Sequence, residues 1–163
     1  MAISLENANK VKQKVAIAMK NGVGSLGASP AAQALFKTFL KYLAEDRRNI
    51  NLQFVPFTEV QCDVAGGTAL VDAACRLVAV YIKKEASATD NWFWAIDDAT
   101  NDGTDADHKV CIPLLETGEE GFYFSPLGQV MGTGVVVTQY ATDPIGKSDG
   151  SNGGGGFLII AAP

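Results

Sequence analysis

The sequence predicts a mainly β protein, an antiparallel β-sandwich of jelly-roll type preceded by two N-terminal helices. Three observations predict it. From His108 to Pro163 the chain reads as apolar, β-branched runs of about four to eight residues, each bounded by Gly, Pro, Asp or Ser. Upstream, residues 73–83 form a mostly apolar run, unbroken from Leu77 to Ile82, and from Asn49 the hydrophobic period is two. Helical spacing is confined to residues 1–48, which sets the division into a helical segment 1–48 and a sandwich domain 49–163.

The elements follow in order. Ser4 caps a first helix, with Glu6 favourable to the dipole and Leu5, Ala8, Val11, Val15 and Met19 on one face. The glycine-rich NGVGSLGAS ends it. Ser29 and Pro30 are an N-cap and first-turn pair, opening a second helix to about Arg48. Gln33, Lys37, Lys41 and Glu45 mark its wet stripe, whereas Leu35, Phe36, Phe39, Leu40, Tyr42 and Leu43 form a wide apolar face.

Ile50, Leu52 and Phe54 then alternate with polar residues as a strand that Pro56 interrupts. Further strands are predicted at 60–64, 73–83, 91–97, 109–115, 121–124, 133–142 and 156–162, with a short one at 68–71. The run CRLVAVYI is apolar on both faces. It therefore belongs in the middle of a sheet, with the second sheet over one face and a helix over the other.

At 163 residues, 47% hydrophobic and 9% aromatic, the chain suits one folded, soluble domain burying roughly 70% of its unfolded surface. The start MAISLENANK lacks the basic and apolar regions of a secretory signal, and no apolar run reaches membrane-spanning length. Cys62, Cys75 and Cys111 lie in apolar stretches without CxxC spacing, so they read as buried free thiols. The net charge of −5 is unevenly spread. Residues 1–50 hold eight Lys or Arg against three acids, and residues 51–163 hold five against fifteen. A basic segment joined to an acidic body suits self-association or docking on an acidic partner, with Lys10, Lys14, Lys37 and Lys41 as contact candidates.

Several stretches resemble chemical sites and fail a requirement. In DDATNDGTDAD, Asp98, Thr100, Asp102 and Gly103 match the first half of a calcium loop, but the twelfth position is Lys109 where a bidentate Glu belongs. Asp98, Asp102 and Asp105 remain weak metal candidates beside the reading of a solvated acidic loop. His108, the only histidine, reads as a surface residue with no nucleophile motif near it. The segment 150–156, GSNGGGG, has no Lys and precedes a strand rather than a helix, so it reads as a flexible connector, not a phosphate loop. Ser125 to Gly128 reads as a turn. Trp92 and Trp94 share one face of the aromatic run NWFWAI and Phe93 the other. One set fills the core, and the tryptophans are candidates for a partner contact. With no basic residues interleaved, direct nucleic-acid binding is not expected.

The succession of the apolar strand 77–82, the aromatic strand 92–96, VCIPLL, an acidic glycine turn, FYFSPLG and GTGVVVTQY resembles the β-sandwich modules of tailed-bacteriophage virion proteins, most of all capsid decoration (cement) proteins. The resemblance covers about residues 70–162. It implies a non-enzymatic protein without cofactor, a symmetric homo-oligomer such as a trimer, contacts with the major capsid or other virion proteins, and a place on the virion head surface after synthesis in the host cytoplasm. The helical segment 1–48 departs from a minimal module and leaves open a neck, tail or fibre-base role. The competing expectation is a carbohydrate- or ligand-binding sandwich with a calcium-dependent acidic loop.

Overall fold

The computed structural model describes residues 29–45, 52–62, 69–84, 92–99, 108–116, 118–140 and 154–163. Between Asn51 and Leu52 the chain divides into two units. The first contains α1 (Pro30–Glu45). Ser29 caps it as the sequence predicts: the hydroxyl accepts the Ala32 N–H at 3.2 Å and the carbonyl accepts the Gln33 N–H at 2.9 Å. Leu35, expected on the apolar face, is 53% exposed. It lies at the rim of the tight i, i+3, i+4, i+7 stripe that begins at Phe36. The first expected helix falls outside the described residues.

The second unit is mainly β. Its elements are β1 (Gln53–Phe57), α2 (Glu59–Cys62), β2 (Cys75–Lys84), β3 (Trp92–Ile96), β4 (His108–Pro113), β5 (Glu120–Met131), β6 (Val136–Tyr140) and β7 (Gly154–Ala161). They form two antiparallel sheets, ordered β1-β7-β2-β5 and β4-β3-β6. Between them lies one core. Phe57, Leu77, Val80, Ile82, Leu158 and Ile160 from the larger sheet meet Phe93, Ala95, Val110, Ile112 and Val137 from the smaller, and the Phe57 and Phe93 rings stack at 5.8 Å.

The central position predicted for CRLVAVYI holds. In β2 every residue from Leu77 to Ile82 is buried, and the strand runs between β7 and β5. On the face away from the shared core, Tyr81 stacks on Phe157 at 5.4 Å and its hydroxyl donates to Glu120 at 3.0 Å.

Five sequence expectations give way to tertiary context. Pro56 does not end β1 but sits inside it, in register with Phe157. Because β1 is an edge strand, one side of it needs no N–H donor. The strand expected at 60–64 is the short helix α2, because the Gln61 side chain accepts the Thr58 N–H at 2.9 Å while the Thr58 carbonyl takes the Gln61 and Cys62 N–H groups. Asp63 and Val64 lie outside the described residues. Ser125 to Gly128 is no turn: β5 runs through it, with Gly128 at φ +73° and a register shift opposite Leu77 and Ala79. Gly128 fits because a Cβ there would lie 2.6 Å from that of Arg76.

The fourth correction concerns the glycine run. Gly154, Gly155 and Gly156 are strand residues, paired with Lys84, Lys83 and Ile82 of β2. A Cβ on Gly154 would strike the Lys83 carbonyl, and one on Gly156 the Tyr81 carbonyl and, at 2.7 Å, the Phe57 ring. These glycines allow β7 to lie close against both neighbours. The short strand expected at 68–71 is reduced to one bridge, Val71 to Val135.

Candidate functional site

In β3, alternation sends Phe93 and Ala95 into the core and turns Trp92 and Trp94 to the outer face of the smaller sheet. Register places Trp92 between Pro113 and Tyr140, and Trp94 between Cys111 and Thr138. A shift between Ala95 and Ile96 brings His108 opposite Ile96, where its ring meets the Trp94 indole edge-on at 5.0 Å and 89°. His108 is therefore half-buried against an aromatic neighbour rather than a surface residue. The Trp94 indole nitrogen is buried and has no hydrogen-bond partner among the described residues. An indole N–H in that state is a donor awaiting an acceptor.

The acidic stretch divides into residues with different work. Asp97 anchors the β5–β6 turn, its carboxylate accepting the Gly132 and Thr133 N–H groups at 2.8 Å each. Partial burial opposes its charge, but the N–H groups of Gly132, Thr133 and Gly134, with Lys109, outweigh burial and hold the carboxyl below its ordinary value. The Asp98 carboxylate accepts the N–H of its own neighbour Ala99 at 2.6 Å. Asp102 and Asp105 lie outside the described residues. Among those described, no three His, Cys, Asp or Glu residues gather where they could hold a metal ion. The Asp97 anchor was invisible in sequence because its partners are backbone groups 35 and 36 positions away.

A second polar hub was also missed. Gln139, buried in β6, accepts the Gly154 N–H and the Cys62 thiol at 3.7 Å, tying β6 to β7 and α2. A polar residue at an inward strand position was the available signal. Cys62 and Cys75 are buried as expected, whereas Cys111 is exposed: it occupies an outward position on β4, an edge strand. Burial first, then the Asp97 charge, pushes the Cys75 thiol above its ordinary value.

Of the basic contact candidates, Lys37 is exposed on α1. Lys10, Lys14 and the Lys41 side chain lie outside the described residues. No described helix is long and apolar enough to cross a membrane. Compared with known protein families, curated proteins and solved structures, the chain matches none.

Proposed function

We propose that this chain is a non-enzymatic structural protein of a tailed-phage virion, a capsid decoration protein that works as a symmetric oligomer such as a trimer on the head surface. The observation that carries the reading is strand order. A jelly roll has eight strands in two four-stranded sheets, and viral capsid proteins are among its common users. Here the larger sheet runs β1-β7-β2-β5, and the Val71–Val135 bridge lies beside β6 where the fourth strand of the smaller sheet belongs. The order is that of a jelly roll with one strand reduced to a bridge. In this reading the acidic sandwich makes contacts between copies, and the basic first fifty residues attach to the capsid lattice.

Co-sedimentation of the purified full chain with capsid shells, alongside its native mass, tests this. Binding by a closed oligomer is expected. A chain that stays monomeric at high concentration and leaves shells bare overturns it.

A second reading is a ligand-binding sandwich, since lectins also use jelly rolls. It is favoured by the outward Trp92 and Trp94, whose rings offer a stacking surface for a sugar. Quenching of tryptophan fluorescence by simple sugars, lost in Trp94→Ala, is its test. No quenching across a panel of sugars removes it.

A further inference from the structure

Two exposed patches of the sandwich complement each other and lie at opposite ends of the β2–β5 pair. At one end Leu127 is 67% and Val130 54% exposed, beside the exposed Arg76. Their geometry is set. Gly128 takes φ +73°, the Arg76 guanidinium donates to the Leu127 carbonyl at 3.3 Å, and Arg76 is in register with Val130. Among the described residues, Arg76 has no acidic partner.

At the other end the β4–β5 turn presents Leu115, 65% exposed, flanked by the exposed Glu116 and Glu119. This turn is held just as firmly. The Glu119 carboxylate accepts the Glu116 N–H at 3.0 Å, Gly118 takes φ +74°, and the Glu116 carbonyl accepts the Glu119 N–H at 3.2 Å. Buried Lys84 anchors the base, its ammonium donating to the Leu114 carbonyl and its backbone N–H to that of Glu119. Tyr81 occupies Glu120, which leaves the Glu116 and Glu119 carboxylates without a basic partner among the described residues.

These two patches hold three of the four large apolar side chains exposed among the described residues, Leu35 on α1 being the fourth. Scattered apolar residues on a surface mean little, but two clusters flanked by opposite charges have a form that fits. They cannot meet within one chain. Arg76 and Lys83, which is in register with Glu120, stand seven positions apart on β2, roughly 23 Å of strand.

We propose that the Leu115–Glu119 turn of one copy seats on the Leu127, Val130 and Arg76 patch of a second copy. Leu115 covers the two exposed aliphatic side chains, and Glu116 or Glu119 pairs with Arg76. The contact uses different surfaces on each copy, so repetition closes a ring if the rotation suits, three copies giving the trimer, and otherwise grows a filament. It runs through side chains rather than an added strand, because Pro126 and the Gly128 irregularity break the free edge of β5. It rests on the structural-protein reading for its purpose, not for its geometry.

Sedimentation velocity on the full chain over a wide concentration range tests it. The wild type associates, more weakly as salt rises. Arg76→Glu alone and Glu116→Arg alone, which leaves the Glu119 carboxylate holding the turn, each raise the dissociation constant at least about tenfold. An equimolar mixture of these two variants regains association in dimers and other even-numbered alternating assemblies, because only unlike copies then present opposite charges to one another. Leu127→Ser weakens association without changing any charge, and an unchanged circular dichroism spectrum checks its fold. A monomeric wild type, charge variants that associate like wild type, or a mixture that stays apart overturns the proposal. An oligomer of this kind that ignores capsid shells sustains the contact and sinks the virion reading, whereas a monomer that binds shells does the reverse.

Discussion

The Asp97 carboxylate accepts the Gly132 N–H at 2.8 Å and so joins the end of β3 to the turn between β5 and β6, 35 positions along the chain. Because the folded protein holds this carboxyl below its ordinary value of 3.8, the charged form contributes stability at neutral pH. That contribution is complete above the unfolded value and is lost as pH falls through the folded one. Wild-type stability is expected to drop below about pH 4. Asp97→Asn should flatten that part of the profile and cost about 1 kcal/mol at pH 7, since one neutral acceptor replaces two charged ones at an exposed site. Urea titrations at several pH values check both effects. An identical acid profile in the variant would show that Asp97 does not carry it.

The close approach of β7 makes its three consecutive glycines unequal. Gly156→Ala is expected to cost about 2 kcal/mol or more, because the new methyl meets the Tyr81 carbonyl and the Phe57 ring with no room to yield. Gly154→Ala should behave similarly against Lys83. At Gly155 the nearest atom to a new Cβ is the Phe57 carbonyl oxygen at 3.7 Å, an ordinary contact. Gly155→Ala should therefore be neutral or slightly stabilising. Thermal melting of the three variants tells a packed strand from a flexible connector, in which all three would behave alike.

Burial first, and then its bond to Glu120, pushes the Tyr81 phenol far above its ordinary value. A raised value means that the neutral phenol stabilises the fold below the unfolded value, and that this is lost as pH rises beyond it. Stability should fall above about pH 10. Tyr81→Phe keeps the stack on Phe157, costs about 1 kcal/mol at neutral pH and removes that alkaline loss. Phenolate absorbance checks the same point, since one tyrosine should ionise only on unfolding.

Thiol reactivity should sort the three cysteines. Cys111 is exposed, whereas Cys62 and Cys75 are buried and the Cys75 thiol is pushed upward. A native-state thiol reagent should modify one cysteine quickly and all three after denaturation. In Cys111→Ser the fast phase should vanish, and its persistence would mean that a core thiol is accessible.

The strands most legible in the sequence were those whose own side chains declare them. CRLVAVYI, WFWAI and the last apolar run each carry β-branched or aromatic residues in unbroken or alternating order, and all three are strands. The Ser29 cap was legible for the same reason, since donors and acceptor lie within four residues. Gly154 to Gly156 offered no side chain to read. The reason for those glycines lies in Tyr81 and Phe57, both far away in sequence. Pro56 sits inside β1 against the local pattern because a missing N–H matters only on the paired side of a strand, and pairing is not a local property. The 60–64 stretch was apolar enough for a strand, but the Thr58 and Gln61 side chains bond one another and favour a helical turn.

As for site residues, alternation alone put Trp92 and Trp94 on the face opposite Phe93, and the core between the sheets decided that the Phe93 face is the inward one. The contact of Trp94 with His108 needed a register shift that no pattern announces. By itself the sequence determined the class of the protein, the centre of its larger sheet and the opposite charges of its two segments, because period, branching and charge are carried by each residue wherever it folds. The tertiary structure alone decided which edges are free, where Asp97 and Gln139 find their partners, and that Arg76 and Leu115 stand at opposite ends of one strand pair. Those are relations between residues distant in the chain, fixed only when backbone pairing brings the strands into register.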